Sequence, residues 1–168
     1  DRLLSVLWNG ERFVSLDPAT GATVKTDSLL YLMPLVLGEL LPAEVAKKLV
    51  DVLMDEGRFL SPWGPASESL KSRHFRDKGY WRGSVWPPVV ILLADGLRRA
   101  GYAGQAREIG RRFLSAVRLS GLSENYSPVD GKALCDPAYS WTASAVALLL
   151  EADGQDRDLK ETGMVTLI

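Results

Sequence analysis

Tyr80-Trp81-Arg82-Gly83-Ser84-Val85-Trp86-Pro87-Pro88 packs three large rings, a cation and a glycine in front of two prolines. The prolines suit the first turn of a helix, where a missing N–H costs nothing. An apolar run, residues 89–94, follows them. Residues 87–100 are therefore expected to form a buried helix. Its positive N-terminal end points back at the aromatic stretch. Trp81 and Trp86 flank Gly83, where backbone is expected to approach a ligand closely. Arg82 offers a planar fork able to hold a carboxylate or sugar hydroxyls.

Working outward, residues 103–118 place Ala106, Ile109, Gly110, Phe113, Leu114 and Val117 on one helical stripe. Arg107, Arg111, Arg112 and Arg118 occupy the other face. Residues 42–54 put Val45, Ala46, Leu49, Val50 and Leu53 on a second stripe, with Pro42 in the first turn. Residues 28–40 are strongly apolar, with Asp27 or Ser28 as cap and Pro34 as an expected kink. Residues 140–152 are nearly continuous apolar surface, and residues 3–8 read as the last turns of a helix. That makes six helices. The strand-like 12–16 runs into a turn at 17–21, and 127–131 has the same turn chemistry, proline early and glycine late. No sequence repeat stands out.

Connections alternate in length. Short ones occupy 38–42 and 101–104, and long ones occupy 57–84 and 121–139. Long ordered loops tend to carry function. Eight of the fourteen aromatic residues fall in residues 63–86 and 126–141. Large rings avoid solvent, so rings gathered in loops call for a reason. Two aromatic loops at one end of a helical array would wall a pocket. Sugars suit such walls, because their C–H faces pack on indoles while their hydroxyls bond to carboxylates and Arg. The alternative is that the rings plug one end of a helical bundle.

Composition narrows the classes. Hydrophobic residues make up 46% and charged residues 24% of 168 residues, as in ordinary globular domains. The net charge of −1 gives no general attraction to nucleic acid or anionic membrane. The arginines at 98, 99, 107, 111 and 112 fit a solvated outer wall better than a nucleic-acid face. One cysteine, Cys135, excludes an internal disulfide, and one histidine, His74, with it excludes a His/Cys-rich zinc site. No glycine-rich phosphate loop occurs, so no cofactor is expected. Apolar runs fall far short of a membrane span. Asp1-Arg2-Leu3-Leu4 does not resemble a signal peptide, and a cytoplasmic location is expected.

The second long loop contains Ser123-Glu124-Asn125-Tyr126-Ser127-Pro128-Val129-Asp130-Gly131, followed later by Ser140-Trp141-Thr142. Together with Tyr80-Trp81-Arg82-Gly83-x-Val85-Trp86-Pro87, this order resembles the C-terminal half of the trehalase-like glycosidases. That group includes trehalases, the processing α-glucosidases and the bacterial mannosylglycerate or glucosylglycerate hydrolases. Trp63-Gly64 and Glu68-Ser69-Leu70 resemble the loop that precedes the family's aromatic motif. The likeness runs over residues 8–152. Ser84 departs from it, since proline is usual there.

The resemblance implies an all-α partial (α/α)6 toroid of about six helices, with the two aromatic loops at one common end. Residues 1–152 would be the C-terminal half of the toroid domain, and 153–168 a polar tail, a short strand or disordered. It implies inverting hydrolysis of α-linked glucosides or mannosides, of oligosaccharide, trehalose or glycosyl-glycerate type. Glu124 would be the general base. Trp81, Arg82 and Gly83 would contact sugar, and Trp63, Trp86, Tyr126 and Trp141 would shape its subsite. The family's general acid is an aspartate in a Gly-Trp-Asp type motif. No such motif occurs in this sequence, and neither Asp17 nor Asp136 matches it. The chain would then be part of a longer enzyme, inactive alone. An apolar flank would meet the missing half or a second copy. The competing reading is a non-catalytic carbohydrate-binding or interaction domain.

Overall fold

A computed structural model describes residues 2–24 and 26–154. Of the tail expected at 153–168, residues 155–168 lie outside the described residues. The elements run α1 (Arg2–Leu7), β1 (Ser15–Leu16), β2 (Thr23–Val24), a 3₁₀ segment (Leu29–Leu40), α2 (Ala43–Leu53), β3 (Leu60–Ser61), β4 (Gly64–Pro65), a short 3₁₀ turn (Tyr80–Arg82), α3 (Pro87–Arg99), α4 (Ala103–Ser120), β5 (Ser123–Tyr126), β6 (Ala133–Pro137) and α5 (Ser140–Asp153). Three two-stranded antiparallel hairpins, β1–β2, β3–β4 and β5–β6, sit between the helices. The architecture is mostly helical with small sheets.

Both amphipathic stripes read from sequence face the core. Val45, Ala46, Leu49, Val50 and Leu53 are buried on α2. Ala106, Ile109, Gly110, Phe113, Leu114 and Val117 are buried on α4, with Ala116 beside them. The third core helix, α3, opens on Pro87 and packs against α4, α5 and the 3₁₀ segment. Its run 89–94 is not buried all round, as its composition suggested. Val89, Val90, Leu93 and Ala94 are inside, but Leu92 is 49% exposed.

Residues 28–40 differ from expectation in geometry. The segment is 3₁₀ rather than α-helical, and it breaks at Gly38 (φ 57°, ψ −124°). Pro34 lacks the N–H that an α-helical ladder needs, and a left-handed φ suits glycine best. Ser28 caps the segment, its Oγ accepting from the Leu30 N–H at 3.1 Å. The turn after 12–16 closes as its residues suggest. Asp17 accepts from the Ala19 and Thr20 N–H groups, each at 2.9 Å, and β1 pairs with β2 across it.

The two long connections are neither structureless nor apart. The first is held by backbone bonds from Leu29 N–H to Ser67 O at 2.9 Å and from Ser69 N–H to Asp27 O at 2.8 Å. The second is the β5–β6 hairpin, not the loop expected from sequence. Val85 and Tyr126 exchange backbone bonds of 2.8 and 3.0 Å, joining the connections directly. Ser127 Oγ donates to Asp77 Oδ1 at 2.6 Å, and Trp63 Nε1 donates to Val129 O at 3.3 Å. The aromatic stretches thus meet at one end of the helical layer.

Candidate active site

The Val85–Tyr126 pair brings the 80–86 stretch alongside β5, and the start of α5 closes over both. Thr142 Oγ1 donates to Ser123 O at 2.5 Å. Trp141 Nε1 donates to Glu124 O at 3.1 Å. The Ser-Trp-Thr triplet therefore clamps two successive β5 carbonyls from the first turn of α5. Ser123 Oγ reaches across to Leu134 O at 2.7 Å on β6. The backbone that carries Glu124 is fixed on both edges.

Glu124 is 8% exposed, and its Oε1 accepts a hydrogen bond from the Tyr80 hydroxyl at 2.9 Å. A buried carboxylate oxygen calls for a hydrogen-bond donor, and the phenol supplies it. The phenol responds in kind. The carboxylate that holds its proton, with partial desolvation, raises the Tyr80 pKa above its usual value. Tyr80 sits in the left-handed region, φ 59°, which costs a non-glycine residue on the order of 1–3 kcal/mol.

Around this pair stands a stack of rings. Trp81 lies flat on Trp86, centroids 4.0 Å apart and planes within 6°. Tyr80 meets Trp86 edge-on at 4.6 Å, and Trp141 meets it edge-on at 6.0 Å. Tyr139 leans on Trp141 at 4.6 Å. Exposure divides the roles. Trp81 is 50% exposed and Trp86 is 1% exposed. Trp81 offers a free face, and Trp86 is the rigid base beneath it. Arg82 is exposed beside them.

Four residues expected to contact the sugar or shape its subsite pack into the protein around the site. Tyr126 has no exposed area. Its hydroxyl donates to Gly121 O at 2.6 Å and accepts from the Ser123 N–H at 3.0 Å, locking β5 to the end of α4. Burial pushes its pKa up to about 12. Gly83 is buried too, and a Cβ there would lie 2.3 Å from Arg76 O. Close packing against its own loop, not approach to a ligand, requires this glycine. Trp63 lies over Gly131 and tethers the β5–β6 turn through Val129. Trp86 is likewise support rather than surface. Tyr80, by contrast, stands in the motif with no role assigned from sequence; its signal is the ring itself, with nothing to mark its partner 44 positions away.

Elsewhere several charges pair with one another. Arg99 bonds to Asp95 at 2.9 Å and reaches Glu39 at 3.4 Å. Arg111 and Arg112 hold Glu108 at 2.8 and 2.6 Å and pull its pKa down to about 2. Among the described residues, no cluster of three His, Cys, Asp or Glu side chains could hold a metal. Among the same residues, no helix is long and apolar enough to cross a membrane.

The profile of the mannosylglycerate hydrolase MGH1-like glycoside hydrolase domain matches residues 1–142. The chain belongs to that family. A glucosylglycerate hydrolase of Mycolicibacterium hassiacum is 39% identical over 80 residues, covering 48% of this chain and 18% of that protein. Mannosylglycerate hydrolase MGH1 of Selaginella moellendorffii is 30% identical over 130 residues, covering 76% and 26%. The crystal structure of the GH63 mannosylglycerate hydrolase from Thermus thermophilus in complex with glucose superposes with a TM-score of 0.79 at 27% identity. That match covers 88% of this chain and 37% of the other. This MGH1-like chain thus has the fold of part of a GH63 (α/α)6 toroid enzyme. The chain spans about a quarter of the Selaginella relative and just over a third of the Thermus structure.

Proposed function

We propose that this MGH1-like chain supplies the general base and one wall of the sugar site of an inverting glycoside hydrolase. Its substrates are α-linked glucosides or mannosides, of the oligosaccharide, trehalose or glycosyl-glycerate kind. The observation that carries the reading is the Glu124 carboxylate, buried, held by Tyr80 and set beside the Trp81–Trp86 stack.

The chemistry follows from the residue types. A sugar ring rests its C–H face on the free side of Trp81. Arg82 meets hydroxyls, or the carboxylate of a glycerate leaving group. Glu124 takes a proton from water, whose oxygen attacks the anomeric carbon from the side opposite the scissile bond. The glycosidic bond breaks with its electron pair on the leaving oxygen, which takes a proton from a general acid. This sequence contains no Gly-Trp-Asp motif to provide that acid. We place the acid in an upstream part of the same toroid, with its carboxyl roughly 6.5–9.5 Å from that of Glu124. The 168 residues alone are therefore expected to be nearly inactive, since one acid or base contributes about 10²–10⁴-fold.

The same upstream part would cover the groove between α3 and α5. Ile91, Leu148, Leu149 and Ala152 line a space of about 340 Å³ there, with Asp95, Arg98 and Glu151 at its edge. Leu148 is 51% exposed, and Leu92 lies next to Ile91 on α3.

The test is turnover of the full-length enzyme that contains this segment. Glu124→Ala is expected to lower kcat by about 10²–10⁴-fold with KM within a few-fold, and added azide should partly restore turnover. Near-normal turnover without Glu124 would overturn the assignment. Unchanged sugar binding by Glu124→Gln, with no turnover to lose, would favour a carbohydrate-binding module instead.

A further inference from the structure

Tyr80 combines three features that do not normally occur together. It is half-exposed, so it is not needed to fill the core. Its backbone is in a conformation that a bulky residue avoids. Its hydroxyl nevertheless reaches 44 positions along the chain to a single carboxylate oxygen. The strained backbone is held from several sides. The Tyr80 carbonyl accepts from the N–H groups of Gly83 and Ser84, the latter at 3.2 Å, and from Ser67 Oγ at 3.4 Å. Its ring is fixed edge-on to Trp86 at 4.6 Å and to Trp81 at 6.3 Å. Strain that the surroundings over-determine in this way gathers at functional sites.

We propose that Tyr80 is the positioning residue of Glu124: its phenol occupies Oε1 and leaves Oε2 as the oxygen that deprotonates water. This rests on Glu124 being the base. The carboxylate plane turns about its last side-chain torsion, which is broad and roughly two-fold. One donor on Oε1 removes that freedom. The Trp141 bond to the Glu124 carbonyl fixes the backbone below it. The two tethers together leave one oxygen with a defined direction. Because the same Tyr80 ring abuts the Trp81–Trp86 stack, it also ties the base to the surface that would seat the sugar.

Two measurements test this. The first needs no turnover. With the Glu124 side-chain carboxyl carbon labelled with ¹³C, Tyr80→Phe in this chain should shift that resonance. An unchanged resonance overturns the proposal. The second is a double-mutant cycle in the full-length enzyme. Tyr80→Phe alone should lower kcat about 10- to 100-fold, the range for losing one hydrogen bond to a charged group. KM should stay within about three-fold. In a Glu124→Ala background rescued by azide, Tyr80→Phe should cost nothing further. Equal losses in both backgrounds would mean that Tyr80 only supports the fold, and would overturn a positioning role. Normal turnover of Glu124→Ala by itself would instead bring down the base assignment. The resonance shift would then still show whether the Tyr80–Glu124 bond exists.

Discussion

Tyr126 shows how one hydroxyl serves two backbone groups. It takes the Ser123 N–H and satisfies Gly121 O, both at a tight junction with no water-facing surface on the ring. Removing it strands the buried Ser123 N–H, at about 1–3 kcal/mol, while the exposed Gly121 carbonyl can turn to water. Tyr126→Phe should therefore lower the unfolding free energy of the chain by that amount, moving the urea midpoint without changing the slope. The alkaline limb adds a second reading. The folded pKa lies at about 12 against an ordinary 10.0. Tyr126 thus contributes stability that is fully present below pH 10 and lost as pH rises toward 12, because only the unfolded chain ionises readily there. The gap between wild type and Tyr126→Phe should narrow across that window. A constant gap would show that burial does not hold the phenol neutral.

At the scale of the elements, α3 is set by how closely it approaches the 3₁₀ segment. Gly96 faces Leu35, and an added Cβ would lie 2.2 Å from the Leu35 carbonyl oxygen and 2.8 Å from Val36 Cα. In an isolated helix alanine would be favoured over glycine by about 1 kcal/mol. Here the contact is with backbone, which cannot swing aside. Gly96→Ala should destabilise the chain by about 1–3 kcal/mol. A higher melting temperature for the variant would mean that the two segments are free to separate. The same spacing matters for the site, since α3 begins one residue after Trp86 and so carries the base of the ring stack. A shift of α3 should therefore also change the tryptophan fluorescence.

For the whole molecule, the leucines on α3 and α5 form one uncovered apolar surface among the described residues. Leu92 and Leu148 lie about half exposed, with Ile91 and Leu149 beside them. A single exposed leucine is ordinary, but exposed leucines on two adjacent helices beside one groove are more often covered. Prepared alone, the chain should self-associate, with a weight-average mass that climbs above 18.4 kDa with concentration in sedimentation. Leu92→Glu with Leu148→Glu should return it to monomer mass. The full-length enzyme should tolerate the pair poorly, because the charges would then face the rest of the toroid. A wild-type chain that stays monomeric at all concentrations would count against this surface being an interface.

Local features could be read directly from residue order. The α2 and α4 stripes were legible because a 3.6-residue period depends only on spacing along one chain segment, and each residue on them is buried as read. The turns at 17–21 and 127–131 were legible because Asp, Ser, Pro and Gly shape backbone within four residues. The motif at 80–88 was legible as chemistry worth placing together. Packing settled what its rings do. Trp81 and Trp86 read alike, yet one faces solvent and the other lies beneath it. Tyr126, expected to shape the sugar subsite, is a buried lock. The β5–β6 hairpin was missed because it lacks alternating β-branched residues and bends through left-handed backbone at Cys135 and Ala138. Its pairing with Val85 is a long-range bond with no signature in either segment. The Tyr80–Glu124 contact is of the same kind. Two side chains meet across 44 positions only when the whole backbone between them is fixed, and packing over that distance is what a one-dimensional pattern does not encode.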